Sequence, residues 1–392
     1  MKGGASVAPF APPSGGRSDI LFIAGEHSGD QHAARLVAEI RKRRPELAIH
    51  ALGGEEMRAA GAELLFDLTR FSVVGIAEVL KYLSVFTALL ARTQEWIAAH
   101  RPKVVCFVDY PGFNLRLAQR LFDAGLARKA GGHVALYYYI SPQIWAWKKG
   151  RRFTMARLLD SLAVIFPFEV SCYADTGLPV HFTGHPFVTH GASSHLVYDP
   201  MGPVLLLPGS RAQPIGRIYP VMLAGFARYR ETHPGEKALT LYPDERIKAL
   251  LLRILTRFPG LEGAVELRPA VEGAGAKACL LSSGTMSLSS ALAGIPGAIC
   301  YRAHPLTYWF GRMVVKIPHL GIANLLLPDS PPYPEYLQGA ARPGALAREI
   351  DLSTSDPARS LASAKAAADL RRILSADQSH DLAGWLLSAP GL

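Results

Sequence analysis

The sequence predicts an α/β protein built from two doubly wound, Rossmann-like domains. Three observations carry this. Short apolar runs alternate with amphipathic segments from Asp19 onward, the pattern of a parallel sheet covered on both faces by helices. The alternation lapses over Pro186–Gly202 and then restarts. Finally, 392 residues, 49% apolar and 19% charged, exceed what one hydrophobic core organises and supply enough apolar mass for two.

Met1–Gly16 is rich in Gly, Ala, Pro and Ser and lacks the apolar run of a signal peptide, so residues 1–18 read as a disordered tail. Residues 19–186 form the first domain, with strands expected at Ile20–Ala24, Ile49–Leu52, Val104–Val108, Val134–Tyr139 and Leu162–Ile165. Residues 203–343 form the second, with strands at Val204–Leu207, Ala238–Leu241, Val265–Leu267, Ala278–Leu281 and Ala298–Tyr301. Four prolines within Pro328–Pro334 break that rhythm. Only helical sequence follows, with good helix formers at Ser360–Leu374 and Leu382–Leu387, and residues 344–392 are expected to pack back on the first domain.

Forty-two Lys and Arg against 32 Asp and Glu leave a formal charge of +10, which calls for an anionic partner. No recognition helix or RNP-type aromatic pattern accompanies the charge, so nucleic acid is not expected. The most apolar helical stretch, Val73–Ala91, is interrupted by Glu78 and Lys81 and is a poor membrane span. Its apolar stripe, with Leu83 and Phe86, fits either a core face or a lipid contact. The four cysteines show no CxxC spacing and read as reduced core residues. No HExxH motif or carboxylate cluster occurs, so neither metal nor other cofactor is expected.

Chemistry concentrates at strand ends. Gly25-Glu26-His27-Ser28-Gly29-Asp30 follows the first strand, where Gly25 and Gly29 allow a ligand near the backbone; the alternative is a tight turn capped by Ser28. Asp109 follows Val104–Val108 and is placed to take a proton from an attacking hydroxyl, unless it caps the next helix. Trp145, Trp147 and Lys148, within Ser141–Lys148, suit a phosphorylated sugar or glycolipid, with a core helix start as the alternative. In the second domain Pro208-Gly209-Ser210-Arg211 and Ser282-Ser283-Gly284-Thr285 put small residues at helix starts, and with the Arg211 guanidinium they fit a diphosphate.

Taken together, Gly25–Asp30, Val73–Leu80, Asp109–Asn114, Ser141–Lys148, Gly184–Pro186, Pro208–Arg211, Ser283–Thr285, Asn324–Leu326 and Pro334–Gln338 resemble the lipid-A-disaccharide synthase family, in that family's order. The resemblance implies a GT-B enzyme, two Rossmann-like domains facing a cleft. It implies inverting, metal-independent transfer of 2,3-diacylglucosamine from its UDP derivative to the 6-hydroxyl of 2,3-diacylglucosamine 1-phosphate, giving the β-1,6 disaccharide precursor of lipid A and UDP. Asp109 would be the general base and Arg211 would lie beside the UDP phosphates. Gly25, Ser28, Gly29, Ser283, Gly284, Thr285, Ser289, Asn324 and Gln338 would surround the donor. Trp145, Trp147, Lys148, Leu83 and Phe86 would meet the acceptor and its lipid. The implied setting is the inner face of the cytoplasmic membrane, against anionic lipid, with homodimers in some members.

Three positions depart from that pattern, because Gly112, Pro214 and Ser289 stand where the family usually carries acidic residues. Serine is too short to hold both ribose hydroxyls as glutamate does, a loss worth about 1.5–3 kcal/mol. The departures keep two alternatives open: a divergent paralogue with another nucleotide sugar or acceptor, and an inactive binding or scaffold protein.

Overall fold

The computed structural model describes residues 7–71, 79–189, 195–303, 318–375 and 381–392. The chain forms two compact units, Met1–Pro186 with Ala376–Leu392, and Phe187–Ser375.

The first unit carries seven strands, β1 Ile20–Ala24, β2 Ile49–Gly53, β3 Glu63–Asp67, β4 Val104–Val108, β5 Ala135–Tyr139, β6 Ser161–Val164 and β7 Val180–Phe182. They lie in the order β3-β2-β1-β4-β5-β6-β7, all parallel. Alternation along β1 sends Ile20, Phe22 and Ala24 to one face, where they join Leu36, Val37 and Ile40 of helix His27–Arg43. Leu21 and Ile23 face the other way, onto Ile97 of helix Val79–His100 and Leu117 and Leu121 of helix Pro111–Asp123. Both faces are covered, which is why these strands are continuously apolar. The winding reverses between β1 and β4, and Ala24 is level with Val108, so the segments after these two strands emerge side by side. Such a reversal leaves a crevice at the strands' carboxyl ends.

The second unit repeats the arrangement. Its strands are β8 Leu196–Tyr198, β9 Val204–Leu207, β10 Ala238–Tyr242, β11 Val265–Pro269, β12 Ala274–Ala276, β13 Ala278–Leu281, β14 Gly297–Tyr301 and β15 Glu335–Leu337. Six form a parallel sheet in the order β11-β10-β9-β13-β14-β15, and β12 pairs with β8. The reversal falls between β9 and β13, with Leu207 level with Leu281.

Three boundaries need correction. Residues 7–18 are not a disordered tail: Phe10 lies 5.9 Å from the Phe66 ring, Trp96 Nε1 donates to Ala11 O at 2.9 Å, and Arg92 Nε donates to Val7 O at 3.1 Å. Apolar Val7 and Phe10 supply the burial that the Gly and Pro content hides. The stretch Pro186–Gly202 contributes β8 to the second unit. Of the C-terminal helices, only Leu382–Leu387 packs on the first unit, through Trp385 and Leu386. Helix Pro343–Ser355 inserts Leu346 and Ile350 into the second core beside Phe226, and helix Pro357–Leu374 closes on Gly294 through Ala364 and Ala367.

Candidate active site

Asp109 is the first residue beyond β4. Its N–H still completes the sheet ladder by donating to Tyr139 O at 3.0 Å; the backbone then turns left-handed, with φ of 45° at Asp109 and 47° at Tyr110. L-residues adopt that region only when their surroundings hold them there. Here the Asp109 carbonyl accepts from buried Tyr138 Oη at 2.5 Å and from buried Asn114 Nδ2 at 2.7 Å. Tyr110, not Asp109, occupies the cap position of helix Pro111–Asp123, and no side chain caps it. The carboxyl is therefore not consumed as a helix cap. Burial, with Glu26 adding negative charge, pushes its pKa up to about 6.

The loop after β1 lies beside it. A Cβ on Gly25 would stand 2.2 Å from the Tyr110 ring, so only glycine lets that ring lie against the backbone. Ser28 is exposed, and the helix His27–Arg43 has no side-chain cap, so Ser28 is no cap either. Gly29 is buried, close to Ala24 and Val108 O. Asp30 is committed to structure: its carboxylate accepts from Gly54 N at 2.8 Å and Glu56 N at 3.1 Å.

The aromatic motif after β5 divides. Ser141 Oγ is bonded to Tyr173 Oη at 2.7 Å inside the core. Trp145 is half-buried and edge-on to Phe168, which stacks on Phe166. Trp147 is 43% exposed, with Lys148 Nζ 4.5 Å from its ring. Phe86 is half-buried, edge-on to Phe113 at 5.2 Å, and belongs to the margin of the core rather than to a free apolar stripe. The side chain of Leu83 lies outside the described residues, as do residues 73–78 of the Val73–Leu80 motif.

Two polar groups here were given no role by the sequence, although His185 lies within the Gly184–Pro186 motif. Glu169 is buried, and its Oε2 accepts from Phe166 N at 3.1 Å. Burial pushes its carboxyl up to about 8, against the pull of backbone donors and the Trp145 indole, while the Asp109 charge pushes the same way as burial. His185, after β7, is held neutral by burial, with His32 adding to the effect, its pKa falling to about 3. The signal that finds Asp109, a polar residue just past a strand's carboxyl end, also finds His185, whereas Glu169, in the first turn of the short helix Phe168–Ser171, carries no such mark.

In the second unit Gly209 has φ of 105° and packs against Ser282, whose N–H donates to Leu207 O at 2.8 Å. Arg211 is exposed at the cap position of helix Ala212–Arg230, where no side chain takes up the free N–H groups. Pro214 falls in that helix's first turn, where a missing N–H costs nothing. Ser283 is half-buried, and Gly284, with φ of 149°, starts helix Thr285–Leu292. The Thr285 side chain lies outside the described residues. Ser289 is buried, 4% exposed.

The side chains of Asn324 and Gln338 are engaged within the second unit as brackets. Asn324 is fully buried; its Nδ2 donates to Tyr333 O at 2.8 Å and Glu335 Oε1 at 2.9 Å, while its Oδ1 accepts from Tyr333 N. Gln338 pairs with the Ala303 backbone in both directions, accepting at 2.8 Å and donating at 3.2 Å. Among the described residues, no group of three or more His, Cys, Asp or Glu side chains converges as a metal site would.

A family model described as Lipid-A-disaccharide synthetase matches residues 20–382. The chain belongs to the lipid-A-disaccharide synthetase family. It is 35% identical over 345 residues to a lipid-A-disaccharide synthase of Nitrosococcus oceani, covering 84% of this chain and 85% of that protein. It is 36% identical over 349 residues to one of Geobacter sulfurreducens, covering 86% and 88%. The UDP-GlcNAc 2-epimerase of Neisseria meningitidis, solved with UDP-GlcNAc bound, superposes with a TM-score of 0.55 over 95% of this chain and 98% of its own at 9% identity. That likeness and those to solved glycosyltransferases give the fold, GT-B. This lipid-A-disaccharide synthetase family member is thus a glycosyltransferase with one Rossmann-like sheet in each unit. No helix among its described residues is long and apolar enough to cross a membrane.

Proposed function

We propose that the chain transfers 2,3-diacylglucosamine from its UDP derivative to 2,3-diacylglucosamine 1-phosphate, with Asp109 as general base. The ionised carboxylate takes the proton of the acceptor's 6-hydroxyl as that oxygen attacks the donor's anomeric carbon. The bond from that carbon to the diphosphate breaks, UDP leaves, and attack from the opposite face inverts an α-linked donor to a β-linked product. Arg211 and the open N–H groups beside it and beside Ser283 and Gly284 take up the charge that develops on the leaving diphosphate. Gly25, Ser28 and Gly29 belong to the donor-side loop, and Ser289 stands where a longer acid would reach the ribose. No metal takes part in this scheme.

The observation that carries the reading is Asp109: a carboxylate at the reversal of a Rossmann-like sheet, held through its main chain, with a pKa near 6. Its partner is a lipid substrate at the inner face of the cytoplasmic membrane. Exposed Trp147 and Phe153 beside Lys148, Lys149 and Arg151 favour contact with anionic lipid there. The test is a mass-spectrometric assay of purified protein with both substrates. Formation of the disaccharide 1-phosphate and UDP is expected; hydrolysis alone, or no product, would refute the activity.

A further inference from the structure

On the outer flank of helix Pro111–Asp123, beginning two residues after Asp109, lies a groove of about 800 Å³. Leu90 and Leu115 give it an apolar wall, and Arg116, Arg120, Lys148 and Arg151 line the rest. Among the described residues no carboxylate lines it. Gly112 lies on its rim with open space where a side chain would be, so the residue type here adds no negative charge. Arg116 rests over the Phe86 ring at 5.6 Å, Lys148 and Arg151 over the Trp147 ring at 4.5 and 5.7 Å, and Arg120 donates to Gln94 Oε1 at 2.8 Å. Among the described residues none of the four forms an ion pair. Cations gathered without counter-charge repel one another, and an anion relieves that cost.

The groove is tied to the catalytic strand end by the chain itself, because Pro111 and Gly112, the first two residues of the helix that follows Asp109 and Tyr110, line it. Its volume falls within the range of small-molecule sites. Three guanidinium forks favour phosphate oxygens over a single carboxylate. The apolar wall suits the acyl chains of a ligand whose other end is charged.

We propose that this groove is the phosphate subsite of the acceptor, in which Arg116 and Arg151 seat the phosphomonoester of a sugar 1-phosphate while the sugar's free hydroxyl reaches Asp109. This rests on the glycosyl-transfer reading, in which Lys148 stood for the acceptor and Arg151 only for the membrane face, while Arg116 and Arg120 had no part. Arg116, Arg120 and Arg151 become specificity residues for the acceptor.

The test is initial-rate kinetics in detergent micelles for the wild type and for Arg116→Gln with Arg151→Gln. Two acceptors are compared, diacylglucosamine 1-phosphate and its 1-O-methyl counterpart. The double variant should raise KM for the phosphorylated acceptor tenfold or more, leave KM for the UDP donor within twofold, and lose the preference for phosphate. An unchanged acceptor KM, or an equal rise for both acceptors, overturns the subsite. Sedimentation with phosphatidylglycerol vesicles separates the membrane source: vesicle binding lost with micellar KM intact assigns the groove to lipid headgroups instead. Quenching of tryptophan fluorescence by inorganic phosphate as effectively as by the sugar phosphate likewise overturns it. If the wild type makes no disaccharide, the glycosyl-transfer reading fails, and quenching by diacylglucosamine 1-phosphate still decides the groove. Quenching lost in the double variant supports the subsite; quenching retained overturns it.

Discussion

Tyr138 holds Asp109 by its main chain: the phenol Oη donates to the Asp109 carbonyl at 2.5 Å and is not spent on the carboxylate. The strained turn is fixed while the carboxyl stays available to a substrate. Tyr138→Phe should lower kcat about tenfold with donor and acceptor KM little changed, since one of the two bonds to that carbonyl is lost and Asn114 keeps the other. An unaltered kcat would show that the phenol is dispensable for positioning.

Asp109→Asn should cut kcat by about 10²–10⁴ with the fold intact. In the wild type, kcat/KM should fall as pH drops through about 6, where the free enzyme's base is protonated.

The same shift has a stability sign. A carboxyl whose pKa rises on folding binds its proton more tightly in the native state, so its ionisation costs nothing below the unfolded value near 3.8 and reaches a plateau above about 6. Asp109→Asn removes that cost, up to about 3 kcal/mol. Its Tm should exceed that of the wild type at pH 7.5, with the gap closing by pH 4. A constant gap would assign the change to packing.

Gly25→Ala should destabilise the first unit by about 1–3 kcal/mol, because the whole Tyr110 ring stands in the way of the new methyl group. Tyr110→Ala in the same chain should recover most of the loss. A double-mutant cycle by thermal denaturation measures the coupling, and simple additivity would mean that the ring moves aside freely.

Asn324→Asp should lower Tm, since the new carboxylate meets Glu335 Oε1 and Tyr333 O where an amide had donated to both. UDP affinity measured by calorimetry at a temperature well below unfolding should stay within twofold. A large fall in affinity at constant Tm would return Asn324 to the donor site. Arg211→Ala is the contrasting case, expected to weaken UDP about tenfold to a hundredfold while leaving Tm alone, with Arg211→Lys restoring part.

The sheets were legible where strands are apolar on both faces. β1, β4, β9 and β13 match their expected bounds, and the catalytic and diphosphate loops follow from them. β3, β7, β8, β12 and β15 were not found, because they are short or partly exposed and carry residues such as Glu63, Asp67 and His181 that break the apolar run. Side-chain duty was less legible than position. Asn324 and Ser283 look alike as polar residues in family motifs, yet the first is taken up by the Tyr333 backbone and the Glu335 carboxylate. Glu169 looks like an ordinary helix-start acid until its burial is known. Ser28 and Asp109 each carried a capping alternative that only backbone angles and hydrogen bonds exclude.

The Trp385 indole donates to Ser161 Oγ at 2.8 Å across 224 residues of sequence, and its ring lies 5.1 Å from Tyr137. On the ribosome, which adds about 5–20 residues per second, β6 waits roughly 10–45 s for the helix that covers it. Throughout that interval the whole second unit is being made, and the face of the first sheet destined for Trp385 and Leu386 stays open to chaperones. A nonsense mutation just before Leu382 would spare every residue of the proposed chemistry and still leave the nascent protein with that sticky face uncovered, a defect of biogenesis rather than of catalysis.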